Sequence, residues 1–545
     1  MKSLQSQFDT IFLKLGGTLD HAKMLPSQVP VQADFQVNGA LALSKSKGMK
    51  PHDLAKEVLS QIKTDEAEVS IAGPGFINIK LTPKTLLKNL SFKVKPEHKK
   101  VLIDYSSPNV AKGMHVGHLR STLIGSALVN MYKEKGWEVL GDNHLGDWGT
   151  PMGIVMNMIL KTPNFQWDLE TIEKNYVEGS KLYQDKTQEQ FKKEVQELTV
   201  KLQSKDAETL ALWQKVVRTT INSLKEDYNA LSISFDVWQG ESFFEPLIPV
   251  MLKELEEKGF VKESMGAKVM ELDKDTPPLI LEKAGGGFLY HTTDLACVKY
   301  RQDFEKVLYV VDKRQNLHFK QVFDAAKIAG YNSASLEHIT FGTINGADGR
   351  PYKTRQGEVL KLKELILQFK EKALEKMKDL GTDYSDEEKK TISDLVAVGS
   401  LKFSELKHHR DTDYVFDLDK FMSLEGFTGP YVMYSAVRAK SLLKKVDLEG
   451  KFHEHEFKPS ERQLLMKIML SSYAFEKALK LNQPHVLCEY VFDLAQCFSS
   501  FYNEVNVGKE KDSVLKAHYV AVVEEFYKTM EKVLSLLGIK LPEAM

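Results

Sequence analysis

The sequence predicts a multidomain chain of mixed class, α/β followed by all-α. A parallel-sheet domain lies in the middle, a small α/β unit precedes it, and a helical bundle follows. Three observations carry this. Residues 101–140 read strand, helix, strand; residues 1–97 alternate helical and strand patterns; from about 390 onward only amphipathic helical periodicity is found. A strand–helix–strand order implies a crossover between parallel strands.

In the first unit, Lys50-Pro51-His52-Asp53 leads into LAKEVLSQI, whose apolar residues recur at helical spacing behind the N-cap candidate Asp53. Glu68–Ile71 and Phe76–Ile79 read as strands joined across Gly73-Pro74-Gly75. The charged run Lys95–Lys100 reads as a linker. VLIDY at 101–105 is a short apolar strand, a helix extends to about Lys135, and Gly136–Leu140 is the second strand. Residues 165–260 are helical and highly charged, an insertion beside the sheet. Phe288-Leu289-Tyr290 and Val307–Val311 read as further strands. The expected domains are therefore 1–97, 98–390 and 391–545.

The 545 residues are 42% hydrophobic and 27% charged, which supplies several cores and excludes disorder as the main state. At about 100–200 residues per domain, three or four domains are expected. Cys297, Cys488 and Cys497 are too few and too scattered for a disulfide framework or a paired-cysteine zinc site, which fits a reducing compartment. No apolar run reaches the roughly 20 residues of a membrane helix. MKSLQSQFDTIFLKLGG carries charge where a signal peptide needs an apolar stretch. A soluble cytoplasmic protein with no membrane partner is expected. Net charge is −1, yet residues 1–100 hold 15 lysines against 9 acidic residues, a surplus compatible with a nucleic-acid partner.

Neither GxxxxGK[ST] nor a GxGxxG after a strand is present. The first strand is followed instead by Ser106-Ser107-Pro108-Asn109-Val110-Ala111-Lys112-Gly113-Met114-His115-Val116-Gly117-His118. Two histidines three apart thus lie at a helix start, where unpaired N–H groups and the macrodipole favour phosphate. Gly117 would let an adenine ring approach the backbone, and Lys112 would supply a mobile positive charge. A His-x-x-His pair is also compatible with an ordinary surface or core position, or with half of a metal site, although no third ligand lies at suitable local spacing. Its place directly after the first strand of a βαβ unit is where open parallel sheets bind ligands.

His115-Val116-Gly117-His118 resembles the HIGH signature of class I aminoacyl-tRNA synthetases, and the longer run SSPNVAKGMHVGHLRST is similar to that of the arginyl-tRNA synthetases. ADFQVNG at 33–39 and AGPGFIN at 72–78 resemble that family's additional N-terminal domain. GDWG at 146–149, FLY at 288–290 with Asp294, then Gln315 and His318 resemble its sheet motifs. GFTGPYVMY at 426–434 resembles the opening of its helical anticodon-binding domain.

The resemblance implies a Rossmann-type catalytic domain and an arginine–tRNA ligase activity. Arginine and ATP would give arginyl-adenylate and pyrophosphate, and the arginyl group would pass to the 3′ end of tRNA(Arg). It implies Mg²⁺ with ATP, no tightly bound protein metal, and a monomer. It also implies residue roles. His115, His118 and Lys112 would be catalytic, and Gly117 and His318 would line the nucleotide pocket. Asp104 and Asp294 would face the guanidinium with Tyr290 beside them, a planar cation suited to planar carboxylates. Asn109 and Gln315 would hold the amino acid's backbone groups. Phe76, Asn78, Tyr431 and Tyr434 are tRNA-contact candidates. The second class I signature, KMSKS, is not matched by ADGRPYKTR at 347–355, leaving Lys353 and Arg355 as secondary phosphate candidates and Lys112 as the compensating lysine.

Overall fold

Two central strands that are near-continuously apolar, VLI at 101–103 and VLYV at 307–310, hold a parallel sheet of four short segments. These are β1 (Lys100–Asp104), β2 (Glu138–Asp142), β3 (Lys306–Val310) and β4 (Ser335–Ile339). Their order is β4-β3-β1-β2 and every pairing is parallel. β1 lies between β3 and β2, so the connections run to opposite sides of it and a crevice opens at the carboxyl ends of the strands. The register sets Asp104 beside Asp142 on one side and beside Tyr309 on the other. The computed structural model describes residues 2–27, 33–273, 276–284, 286–350, 352, 360–379 and 384–545.

Three helices carry the residues that matter for the crevice: α1 (Val116–Glu134) between β1 and β2, α2 (Tyr290–Tyr300) before β3, and α3 (Asn316–Ala329) between β3 and β4. Leu295 and Val298 of α2, Phe319 and Val322 of α3, and Leu102, Val307 and Tyr309 of the sheet share one apolar cluster. Burial of such side chains contributes about 1.5–3 kcal/mol each, which fixes the helices to the sheet.

The structure corrects one expectation. Phe288–Tyr290 is not a strand of the sheet: Phe288 makes a single bridge to Glu282, and Tyr290 opens α2. Gly286 and Gly287 precede it at φ +90° and +94°, so the chain turns there. A three-residue apolar run has no period that separates strand from helix start. The edge strand is instead β4, whose sequence SLEHI mixes polar and apolar residues and is only partly buried. The charged region contains the helices Leu169–Gln184, Glu189–Gln203 and Ala207–Ala230, and beyond residue 260 an antiparallel ribbon of Lys262–Ser264, Ala267–Met270 and Leu279–Glu282 follows them. Beyond residue 390 the elements are helical apart from Tyr414–Val415, which pairs with Ile344–Asn345 and is too short to show a period.

The chain divides into two compact units. One comprises Val94–Tyr434, Phe475–Glu489 and Leu534–Met545 and contains the parallel sheet and its crevice. The other comprises Met1–Lys93, Ser435–Ala474 and Tyr490–Val533. In it a four-stranded antiparallel sheet is formed by Leu25–Pro26, Phe35–Val37, Phe76–Leu81 and Ala67–Ala72. Arg462 joins this sheet to the helices of the same unit, donating to Asp34 Oδ2 at 2.6 Å and to the Leu81 carbonyl at 2.9 Å. Among the described residues no helix is long and apolar enough to cross a membrane.

Candidate active site

The loop after β1 is held in a backbone shape that L-residues rarely adopt. Ser106, Ser107 and Ala111 have φ of 72°, 50° and 67°. Such conformations persist only where surrounding contacts over-determine them, and here they do. Ser106 N–H donates to Ser121 Oγ (2.8 Å), and the Ser106 hydroxyl meets Thr122 Oγ1 and Tyr228 Oη, each at 2.7 Å. Ser107 N–H donates to Asn143 Oδ1 at 3.1 Å. The segment therefore reaches α1 with a fixed trajectory.

At the start of α1 the two histidines have assigned proton positions. Gly117 N–H donates to His115 Nδ1 (3.0 Å), and His115 N–H donates to His118 Nδ1 (3.2 Å). A ring nitrogen that accepts carries no proton, so each neutral imidazole holds its hydrogen on Nε2. The rings lie 3.9 Å apart. Burial, with Lys112 adding, lowers the His115 pKa; burial, His115 and Lys112 push that of His118 down to about 3. Both rings are thus neutral N–H donors at neutral pH. Lys112 stands close enough to act on both, its ammonium 4.8 Å from the Tyr176 ring centroid. Gly117 has a different reason from the one expected: a Cβ there would lie 2.7 Å from His115 Cε1, so the glycine makes room for the histidine ring.

On the other side of β1, α2 brings Tyr290 and Asp294 to one helix face, four residues apart. Tyr290 is 55% exposed. Its ring stacks on His291 at 4.2 Å and lies 4.9 Å from His318. His318, on α3, places Nε2 2.5 Å from Asp294 Oδ2. His318, expected beside the nucleotide, makes its hydrogen bond to Asp294. Gln315 is exposed in the turn leading into α3. Asn109 is exposed as well, paired through its backbone with Gly146, whose Cβ, if it had one, would lie 2.2 Å from Asn109 Oδ1.

Asp104 is not free to face a substrate guanidinium, as the sequence suggested. Arg301, the C-cap residue of α2, donates from Nη1 to Asp104 Oδ2 (2.8 Å) and from Nη2 to Asp142 Oδ2 (2.7 Å). The Ser107 hydroxyl donates to the second Asp104 oxygen at 3.0 Å. The physical reason is charge: two adjacent carboxylates at buried strand ends require a cation, and the chain supplies its own.

Several site residues escaped the sequence reading. His144, in the loop after β2, has donor atoms within 4.8 Å of those of Asp104 and Asp142, and likewise of Asp294 and Cys297. Asp147, of the GDWG segment, accepts from Ser242 N–H (2.9 Å) and Ser242 Oγ (2.6 Å), while Trp213 Nε1 donates to its carbonyl at 2.7 Å. Glu241 follows Gly240 and senses His144, Asp147 and Asp294; burial, with Asp147 and Asp294 adding and His144 opposing, pushes its pKa up to about 7. Nothing near Glu241 in the sequence marks it, since it lies inside a stretch read as an insertion.

A further His–Glu–His group, His455, Glu461 and His518, lies in the other compact unit. His453 N–H donates to His518 Nδ1 (2.9 Å), so His518 Nε2 carries a proton and donates to Glu461 Oε1 at 2.8 Å. This is hydrogen bonding within the fold and leaves that nitrogen no lone pair for a metal. Asn78 is buried and accepts from Gln36 Nε2 at 2.8 Å; Phe76 and Tyr431 are partly buried, and Tyr434 is 43% exposed. Lys353 and Arg355 lie outside the described residues.

Residues 82–418 match the family model for the catalytic domain of class I (R) tRNA synthetases. Residues 2–81 match the arginyl-tRNA synthetase N-terminal domain, and residues 432–545 the DALR anticodon-binding domain. The arginine–tRNA ligase of Francisella tularensis subsp. novicida is 37% identical over 575 aligned positions, covering 98% of each chain. That of Proteus mirabilis is 36% identical, covering 97% of each. Among solved structures, the arginyl-tRNA synthetase of Plasmodium falciparum superposes with a TM-score of 0.85 at 26% identity, covering 100% of this chain and 99% of that one. The Thermus thermophilus arginyl-tRNA synthetase, at 23% identity and full coverage of both chains, shares the fold with a TM-score of 0.86.

Proposed function

The chain belongs to the arginyl-tRNA synthetases, and from that premise we propose how its own side chains carry the reaction. It is an arginine–tRNA ligase: arginine is activated with ATP and then passed to tRNA(Arg). In the first step the arginine carboxylate attacks the α-phosphate and pyrophosphate leaves. The protein's work is to place the reactants and to meet the charge that develops on phosphate oxygens.

His115 and His118 donate their Nε2 hydrogens to those oxygens, and Lys112 adds a full positive charge beside them. Magnesium enters with ATP, as part of that substrate. Asp294 and Glu241 face the substrate guanidinium, Tyr290 covers it, and His318 holds Asp294 in place. Asn109 and Gln315 take the amino acid's ammonium and carboxylate. Lys353 is the alternative phosphate lysine. Residues 98–390 form the catalytic domain, and residues 1–97 and 391–545 hold tRNA, with Phe76, Tyr431 and Tyr434 as contacts and Asn78 shaping the sheet beneath Phe76. A monomer in a reducing cytoplasm, with no membrane partner, fits the free cysteines and the composition.

The observation that carries this reading is the assignment of both Nε2 protons at the start of α1, set across β1 from the Asp294 carboxylate. Pyrophosphate exchange with each amino acid, with and without tRNA, tests it. Arginine alone should support exchange. Lysine should be poor, because a point charge does not match paired planar carboxylates. Exchange with another amino acid, or arginine binding without exchange, would replace this reading with a different nucleotidyl transferase or an inactive tRNA-binding relative.

A further inference from the structure

Arg301 is a charged group sealed beneath the strand ends: its side chain is 0% exposed and its guanidinium contacts the strand-end carboxylates of both β1 and β2. It also terminates α2, the helix that carries Tyr290 and Asp294. Tyr309 of β3 and Phe244 lie near its guanidinium, with centroids 5.4 and 5.5 Å away. One side chain therefore fixes three things at once: the Asp104 carboxylate, the end of β2 from which the His144 loop departs, and the axial position of α2.

From these contacts we propose that Arg301 is a positioning residue for arginine recognition, setting the height of α2 against the strand ends so that Asp294 meets the substrate guanidinium. The proposal rests on the assignment of Asp294 to that guanidinium. Packing alone does not set this height, because an apolar face tolerates sliding, whereas a forked guanidinium between two carboxylates has one geometry. A lysine in its place reaches one carboxylate as a point charge and leaves the other buried without its counter-charge. The helix then loses its axial stop while most of its apolar contacts remain.

The test is steady-state pyrophosphate exchange by the full-length protein, with tRNA present, on Arg301→Lys, Asp142→Asn, Asp294→Asn and the Arg301→Lys/Asp294→Asn double variant. Arg301→Lys should raise the arginine KM about tenfold while the ATP KM stays within about twofold. Asp142→Asn keeps the Asp104 contact and should raise the arginine KM about threefold; it retains the test if Arg301→Lys does not fold. The double variant should have an arginine KM no worse than Asp294→Asn alone, since a residue acting through Asp294 has nothing left to position. If Arg301→Lys and Asp142→Asn lower only melting temperature or active fraction, with KM unchanged, the proposal is overturned and Arg301 is structural. Additive KM effects in the double variant overturn it as well. If Asp294→Asn itself leaves the arginine KM unchanged, the pocket assignment fails instead, whatever Arg301 does.

Discussion

His318 Nε2 lies 2.5 Å from Asp294 Oδ2, a contact between α3 and α2 that orients the Asp294 carboxylate, which we propose meets the substrate guanidinium. Asp294 also lies near Cys297 and His144, and without His318 it loses the hydrogen bond that fixes its orientation. His318→Ala should therefore raise the arginine KM about three- to tenfold and leave the ATP KM nearly unchanged, as removal of a hydrogen bond to a charged group would. A change confined to the ATP KM would return His318 to the nucleotide pocket.

Burial lowers the pKa of both His115 and His118 and Lys112 adds to it, so the ammonium stands near both rings. Lys112→Ala should lower kcat about 10²-fold, together with kcat/KM, with little change in arginine affinity. Kinetics on Lys353→Ala run in parallel decide between the two lysines. A near-normal Lys112 variant beside a crippled Lys353 variant would reverse the assignment.

Glu241 has its pKa pushed up to about 7, chiefly by burial. Below that pH the free enzyme carries a neutral carboxyl there, which pairs poorly with a guanidinium. The value of kcat/KM for arginine should thus rise with pH through about 7 and level off above it. Glu241→Gln should show a lower plateau and lose that step. An unchanged pH profile in the variant would remove Glu241 from the pocket.

Gly146 leaves room for the Asn109 side chain, since a Cβ would stand 2.2 Å from its Oδ1. Gly146→Ala must displace either the asparagine or the loop. We expect a rise of about tenfold or more in arginine KM, with a melting temperature within a few degrees of the parent, because the clash is with an exposed side chain. A large loss of stability with normal KM in the surviving fraction would show that Gly146 serves the loop alone.

What the sequence determined by itself was local. The VLID and EVL strands around a helix, the His-x-x-His at that helix's start, and the long helical tail follow from period and position, and the seventeen-residue run from Ser106 to Thr122 was enough to identify the family. Tertiary structure alone decided the pairings. Asp104 reads as a ligand carboxylate from its place at a strand end, yet its partner is Arg301, 197 positions away. Glu241 carries no local mark, and only the fold sets it near Asp294 and Asp147. His318 sits in a helix where nothing in the sequence says whether it turns to the nucleotide or to Asp294. The reason is common to all three. Charge balance in a buried site depends on distances through space, and these are set by how α2, α3 and the insertion pack on the sheet, not by spacing along the chain.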